Sequence, residues 1–145
     1  MGFSSTKTYG HNFGMSACFR QWKATHSHCS FLHGYALAIS YEFEATELDC
    51  RNWVVDFGGL DILKDKLKAY FDHKTLVASD DPELDFFYEM HRKNMIDLVV
   101  VDAVGCEAFA KMAYEFACEV VEDSRVTVTK CEVSEHGANS AIYRP

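Results

Sequence analysis

Residues 125–135 alternate between polar and apolar side chains along most of their length, which is the strongest structural signal in the chain. Side chains of a strand point alternately to its two faces, so this period of two predicts a strand with one buried face. Residues 35–45 are rich in aromatic and apolar side chains and predict a second, long strand. Residues 6–20 predict a strand before it, and residues 141–143 predict a short one at the end.

The middle of the chain carries helical signals. Leucines and aromatic residues recur at helical spacing over residues 60–71, directly after a pair of glycines. An aspartate followed by a proline at residues 81–82 suits a helix start, so a second helix is predicted from there to about residue 93. Residues 105–122 predict a third, long helix. Weaker signals indicate a strand over 96–101, an extended piece over 52–57 and a loop over 21–32.

Strand pairs near both ends of the chain, with helices between them, predict an α+β fold with an antiparallel sheet. Such a sheet has open edges, and their unpaired backbone groups favour closure by oligomerisation. The length of 145 residues suits one domain, and an apolar content of 48% is ample for a packed core.

Charge and composition exclude several classes of protein. The net charge of -8 disfavours a nucleic acid or an anionic membrane as the main partner. The first residues have no apolar stretch typical of a signal peptide, and no apolar run is long enough to span a bilayer. We therefore expect a cytoplasmic protein whose cysteines are reduced.

Histidines and one thiol are concentrated in residues 26–33, where His26, His28, Cys29 and His33 lie close together in sequence. Imidazole and thiolate are good zinc ligands, and two histidines two residues apart on an extended segment point the same way. The cluster therefore predicts a metal or catalytic site. Cys29 has an alternative role as nucleophile or general base, because neighbouring imidazoles favour the thiolate. The simpler alternative is a polar loop whose histidines only form hydrogen bonds.

Two further places carry groups suited to catalysis or binding. Asp72 precedes His73, and a carboxylate beside an imidazole can fix its tautomer and tune its basicity. Glu135 at a strand end can accept two parallel hydrogen bonds from the N–H and NH2 groups of a guanine or pterin ring. Glu107 can act likewise, or simply favour a helix N-terminus. The plainer alternatives are a helix-end histidine and an ordinary polar turn. The remaining cysteines are interpreted as small buried apolar residues, namely Cys18, Cys50, Cys106, Cys118 and Cys131.

Taken in order, these segments resemble the 6-pyruvoyl- and 6-carboxytetrahydropterin synthase family over nearly the whole chain. Six family motifs have counterparts: the first-strand motif, the cysteine loop leading into leucine-histidine-glycine, the aspartate-phenylalanine segment, the aspartate-histidine pair, the threonine-serine-glutamate motif (here glycine-cysteine-glutamate) and the closing glutamate-to-tyrosine segment. They are found at residues 16–20, 29–34, 52–60, 71–76, 105–107 and 135–143.

The resemblance implies the tunnelling fold (T-fold), with an antiparallel four-stranded sheet and helices packed on one face. It implies a single domain over residues 1–145 with an insertion at about 80–101, and a hexamer with active sites at subunit interfaces. The implied activity is that of a 6-carboxy-5,6,7,8-tetrahydropterin synthase, a lyase acting on 7,8-dihydroneopterin triphosphate in 7-deazaguanine and queuosine precursor synthesis.

The resemblance also implies roles for individual residues. Cys29 would move protons on the side chain of the substrate, with Asp72 and His73 as the partner relay. Glu135 would anchor the pterin ring, with help from Glu107. Alternatives are a related pterin enzyme with a different side-chain reaction, of the 6-pyruvoyl-tetrahydropterin synthase type, and a non-catalytic pterin- or purine-binding protein.

The metal site departs from the family pattern. The family binds zinc through one histidine on the first strand and both histidines of a histidine-glycine-histidine motif. The matching positions here are Phe19, or Cys18 if the register shifts by one, followed by His33 and Tyr35. Phenylalanine cannot bind a metal, and neutral tyrosine is a poor zinc ligand. We therefore predict a rearranged zinc site formed by His26, His28 and His33, which leaves Cys29 free for proton transfer.

Overall fold

The computed structural model describes residues 2–13 and 15–145. Strands in this part of the chain are β1 (Phe3–Tyr9), β2 (Met15–Phe19), β3 (His33–Ala45), β4 (Lys74–Ala78), β5 (Leu98–Val101), β6 (Thr127–His136) and β7 (Asn139–Tyr143). The α-helices are α1 (Asp61–Phe71), α2 (Leu84–Arg92) and α3 (Cys106–Val120). None of the helices in the described residues has both the length and the apolar character needed to cross a bilayer.

The seven strands form one sheet in the order β5-β4-β2-β3-β6-β7, and β1 also pairs with β3. β1 and β2 lie end to end along the same edge of β3, with Tyr9 opposite Ile39 and Met15 opposite Leu37. The predicted single strand over 6–20 is therefore wrong, because a short 3-10 turn, His11–Phe13, divides it. The turn is closed by a 3.0 Å hydrogen bond from the Phe13 amide to the Gly10 carbonyl.

The predicted α+β class is confirmed, but the sheet is larger than the four antiparallel strands expected. β4 lies between β2 and β5 and is parallel to both. Its residues are almost all buried, so both faces are covered and its sequence shows no alternation. The sequence analysis did not identify β4 for this reason. The extended piece expected over 52–57 forms turns and bends rather than a strand.

The main core lies between one face of the sheet and helices α1 and α3. Alternate residues of β3, including Leu37, Ile39 and Tyr41, are almost completely buried on this face. The hydroxyl of Tyr41 donates a 2.8 Å hydrogen bond to the carbonyl of Ala113 in α3, which ties the helix to the middle of the strand. Burying a large apolar side chain contributes roughly 1.5–3 kcal/mol, so this interface accounts for much of the stability.

A β-bulge in β6 explains an irregularity in its alternating pattern. Val128 and Cys131 are three residues apart, yet both are buried in the main core. The pairing of β6 with β3 shifts register between Glu42 and Phe43, which leaves Thr129 as the extra residue. The Thr129 hydroxyl bonds the Glu42 side chain at 3.1 Å. The extra residue returns the apolar side chains to the buried face.

Residues 80–101 form α2 and β5 and cover the β4 end of the sheet. Asp81 lies at the start of this segment, and only 1% of its side chain is exposed. Its carboxylate accepts hydrogen bonds of 2.9 and 2.6 Å from Nε and Nη2 of Arg20, at the end of β2. Burial by itself would raise the pKa of Asp81, but the bonds and charge of Arg20 together with a bond from the Glu83 amide outweigh it and lower this pKa. Arg20 therefore holds the segment against the sheet.

Candidate active site

A pocket of about 440 Å³ lies where the end of β2, the start of β3 and the N-terminus of α3 meet the β6–β7 turn. This volume is within the range of small-ligand sites. The pocket brings together five of the residues singled out from the sequence, which are His26, Cys29, His33, Glu107 and Glu135. His28, Asp72 and His73 are not among the residues that line it.

Cys29 is positioned by a tight turn in the loop before β3. The Ser27 side chain caps the short 3-10 helix His28–Ser30 by accepting a 3.1 Å hydrogen bond from the Cys29 amide. The carbonyl of Cys29 in turn accepts a 2.8 Å bond from the Gln21 amide. The thiol is exposed on the pocket wall, where a ligand can reach it.

The inner wall of the pocket carries three rings, those of Phe19, His33 and Tyr35. Phe19 on β2 pairs directly with His33 on β3, and the ring of Tyr35 lies 5.9 Å from Phe19 and 5.2 Å from His33. Nδ1 of His33 lies 2.6 Å from the carbonyl oxygen of Phe31, so this nitrogen carries a hydrogen. Nε2 lies 3.1 Å from the hydroxyl of Tyr35.

These residues do not fit a bound zinc ion. Phe19 has no ligand atom, and Nε2 of His33 already contacts Tyr35. Burial first, and then the charge of Glu135, raises the pKa of Tyr35, which keeps its phenol neutral. Over residues 2–13 and 15–145, no three His, Cys, Asp or Glu side chains are placed to hold a metal ion.

The predicted ligand set of His26, His28 and His33 is likewise not assembled. His28 lies in the 3-10 turn rather than on an extended segment, so it does not point the same way as His26. Its ring packs near that of Phe31, with 5.9 Å between the centroids. Alternate residues point the same way only on an extended segment, and the capped turn changes the direction of the chain here.

Glu135 contributes a carboxylate to the pocket lining, near Tyr35 and Cys106. This carboxylate lies near the end of β6 and is close enough to raise the pKa values of two neighbours, Tyr35 and Cys106. Burial is the larger cause for Cys106, whose pKa rises to about 12. Glu135 is therefore an acidic hydrogen-bond acceptor in partly desolvated surroundings, the environment in which it can bind an N–H and NH2 edge.

The N-terminus of α3 also contributes to the pocket lining. Gly105 has φ 123°, a conformation that favours glycine, and it allows the chain to turn sharply into the helix. The turn places Cys106 and Glu107 at the pocket. Cys106 was expected to be a buried apolar residue, and Asn139 and Ser140, which also line the pocket, were given no role of their own. All three lie within the segments 105–107 and 135–143 that resemble family motifs.

Asp72 and His73 form a separate pair beside the other end of β2. Oδ1 of Asp72 lies 2.8 Å from Nδ1 of His73 and accepts a 3.2 Å bond from the Ser16 amide. The His73 amide donates to the Ser16 carbonyl at 2.6 Å, and its φ of 60° is an uncommon conformation for this residue. Ser16 lies three residues before Phe19, about 10 Å along the strand. Within one chain, the pair is therefore apart from the pocket.

Solved structures of other proteins share this fold. An uncharacterized protein from Wolinella succinogenes has a TM-score of 0.82 and 19% identity, with 98% of this chain and 97% of the other covered. The 6-pyruvoyl tetrahydropterin synthase of Plasmodium falciparum gives 0.68 and 16%, covering 98% of each chain. That of Caenorhabditis elegans gives 0.64 and 17%, covering 99% and 94%. No curated protein matches the sequence.

The fold is therefore the T-fold expected from the sequence motifs, with more strands in its sheet than the four expected. Identities this low show only a common fold, whereas a match of the sequence to a family model shows membership of the family. The family model for 6-pyruvoyl tetrahydropterin synthase matches residues 9–145. The chain belongs to the 6-pyruvoyl tetrahydropterin synthase family.

Proposed function

We propose that the protein is a pterin lyase that acts on 7,8-dihydroneopterin triphosphate, of the 6-carboxytetrahydropterin synthase type. The observation that carries this proposal is the placement of the Cys29 thiol and the Glu135 carboxylate on one pocket. The first suits proton transfer and the second suits binding of a pterin ring. The proposed physiological role is a step in 7-deazaguanine and queuosine precursor synthesis.

Glu135 is proposed to bind the ring. Its two oxygens can accept parallel hydrogen bonds from an N–H and an NH2 group, a geometry that a pterin offers on one edge. Glu107, in the first turn of α3, lines the same pocket and adds a second acceptor. Because such bonds involve a charged acceptor, loss of Glu135 reduces the binding free energy more than loss of a neutral partner would.

Cys29 is proposed to remove and return protons on the substrate side chain. Its thiol is exposed, lines the same pocket as Glu135, and belongs to a turn that is capped by Ser27. A thiolate is the reactive form of cysteine, and the imidazoles of His26 and His33 line the same pocket as the thiol.

Asp72 and His73 are proposed to act in the site of a neighbouring copy in a homo-oligomer, with a hexamer as the expected assembly. His73 donates Nδ1–H to Asp72, which leaves Nε2 free, and 83% of its side chain is exposed. A histidine with a fixed tautomer and an exposed second nitrogen is suited to proton transfer in a site completed by another subunit.

The triphosphate is proposed to lie outside this pocket. Among the described residues that line it, there is no lysine or arginine, and both acidic residues would repel phosphate. A substrate whose ring is bound at Glu135 therefore directs its triphosphate towards the pocket mouth. There, residues of a neighbouring copy can neutralise the charge of the triphosphate.

The proposal is tested by incubating the protein with 7,8-dihydroneopterin triphosphate and identifying the products by mass spectrometry. Acetaldehyde together with 6-carboxytetrahydropterin is the expected result. A Cys50→Ala variant provides the control for Cys29→Ala, because Cys50 is also an exposed thiol but lies outside the pocket. Unchanged turnover in Cys29→Ala would contradict the role given to this thiol.

A second candidate keeps the pterin pocket but changes the side-chain reaction, as in a 6-pyruvoyl-tetrahydropterin synthase-like enzyme. The observation that favours it is the replacement of two expected zinc ligands by Phe19 and Tyr35. Formation of a different pterin in the same assay would identify this activity. Bound but unconverted substrate would instead identify a non-catalytic pterin-binding protein.

A further inference from the structure

We propose, on the basis of the function given above, that Tyr35 takes the place of a bound metal ion. Its oxygen accepts a hydrogen bond directly from a hydroxyl group on the side chain of the ligand. The pocket then orients a polyhydroxylated side chain without a resident divalent cation.

The direction of the hydrogen bonds around His33 supports this role. A carbonyl can only accept, so the 2.6 Å contact with Phe31 places the hydrogen of a neutral His33 on Nδ1. Nε2 is then an acceptor, and the 3.1 Å contact is a bond donated by the Tyr35 hydroxyl. The ring of His33 is thereby held at both nitrogens.

The phenol proton of Tyr35 is used within the protein, and its oxygen remains for a ligand. The hydroxyl donates this proton to Nε2 of His33, while burial, and then the charge of Glu135, raises the pKa of Tyr35 and keeps the phenol neutral. The lone pairs of the oxygen therefore stay available. Tyr35 lines the pocket, so these lone pairs can meet a donor there.

The charged groups of the pocket are matched to a ligand that offers hydrogen-bond donors. Glu107 and Glu135 are acceptors only, and no lysine or arginine is found among its described lining residues. Tyr35 is held between the rings of Phe19 and His136, at centroid distances of 5.9 and 6.1 Å, which fixes the position of its hydroxyl. A side chain with free hydroxyl groups satisfies this arrangement, whereas an anionic group does not.

The first test is a comparison of two ligands that differ in the hydroxyl groups. Calorimetric titration measures the binding of 7,8-dihydroneopterin and of 6-methyl-7,8-dihydropterin, which lacks the hydroxylated side chain. In the parent protein we expect tighter binding of the hydroxylated ligand. In Tyr35→Phe this preference should fall by about 2- to 12-fold, the range for one hydrogen bond. Tyr70→Phe is the control, because Tyr70 packs on Phe116 outside the pocket and should keep the preference.

The outcomes separate this inference from the proposed function. If neither pterin binds the parent protein, the assignment of the pocket to pterins is wrong, and the role of Tyr35 falls with it. If both bind and the preference is the same in Tyr35→Phe as in the parent, the pterin pocket stands and the role of Tyr35 is refuted. Circular dichroism of each variant verifies that the fold is retained.

The second test measures zinc. The parent protein, saturated with zinc and then desalted, should retain much less than one equivalent per chain by elemental analysis. The double variant Phe19→His with Tyr35→His places a histidine at each of the two positions beside His33, and it should retain about one equivalent. Retention of about one equivalent by the parent, and its loss in His33→Ala, would overturn the inference. The parent measurement decides the question even if the double variant does not fold.

Discussion

Phe19 lies directly opposite His33 in the pairing of β2 with β3, and its ring also makes an edge contact with Phe109 of α3 at 5.0 Å between centroids. This places an apolar, buried ring in the lining of a pocket that also carries carboxylate and imidazole groups. The contact joins the main core to the site, so packing of α3 on the sheet fixes the position of the pocket wall.

Replacing Glu135 with glutamine should weaken pterin binding. The amide keeps the size of the side chain but loses the negative charge and one of its two acceptors. Because hydrogen bonds to charged groups contribute about 1.5–3 kcal/mol, we expect affinity to fall by roughly 10- to 150-fold. Fluorescence titration with 7,8-dihydroneopterin measures the change. Glu44→Gln, on an exposed part of β3, should bind like the parent. Equal affinities of the two variants would show that the ring is bound elsewhere.

Mixing two inactive variants tests whether the site is shared between copies. Cys29→Ala lacks the pocket thiol and His73→Ala lacks the exposed imidazole, so each should lose at least about 100-fold in turnover, as expected for loss of proton transfer. Hybrid oligomers formed by co-expression contain some sites with both groups and should regain part of the activity. Light scattering gives the size of the assembly. A mixture that stays as inactive as its components would place the complete site within one chain.

Removal of the charge of Asp81 should destabilise the fold in a pH-dependent way. Asp81→Asn leaves Arg20 without its bidentate partner, so the free energy of unfolding at pH 7 should fall by about 1.5–3 kcal/mol. The folded pKa of Asp81 lies below the unfolded value, so its contribution is present above about pH 4 and is lost as pH falls through the folded pKa. Urea unfolding of the parent and of Asp81→Asn at several pH values measures the free energy of unfolding of each protein.

The contribution of Asp81 is therefore seen as a difference between the two proteins. Parent and variant should differ most at neutral pH and converge in acid. Asp80→Asn is the matched control, because Asp80 is exposed and pairs only with Trp22 and Lys23 at the surface. If the difference in free energy of unfolding between the parent and Asp81→Asn stayed constant down to pH 2, the ionic role of this carboxylate would be contradicted.

The cysteines should differ sharply in their reaction with iodoacetamide. Burial raises the pKa values of Cys106 and Cys131 to about 12, so neither forms much thiolate near neutral pH. Cys29, Cys50 and Cys118 are exposed and should be alkylated first. Peptide mass mapping over time at pH 8 distinguishes the two groups. Early alkylation of Cys106 in the folded protein would show that the base of the pocket opens to solvent.

The exposed thiols also show where the sequence analysis was wrong. Cys50 and Cys118 were expected to be buried, as apolar residues of this size often are, and both are exposed. Burial depends on which face of an element is covered, and an isolated cysteine carries no periodic signal of its own. Cys106 and Cys131 lie on the covered sides of α3 and β6, and for them the prediction is confirmed.

Helices and alternating strands were predictable because their signals are local. The helical spacing over 60–71 and 105–122 corresponds to α1 and α3, and the alternation over 125–135 corresponds to β6. β4 was missed because it is buried on both faces, and the division of residues 6–20 was missed because both halves pair with the same strand. In each case the element is determined by contacts with residues that are far away in sequence.

The sequence by itself determined the α+β class, the main helices and strands, and the ordered motifs that place the chain in its family. Only the tertiary structure decided that Cys29, Tyr35 and Glu135 share a pocket and that Asp72 and His73 do not join it within one chain. It also decided that His33 is bound at both nitrogens. The physical reason is that periodicity records which face of an element is buried, whereas a site depends on register and turns between elements distant in the chain.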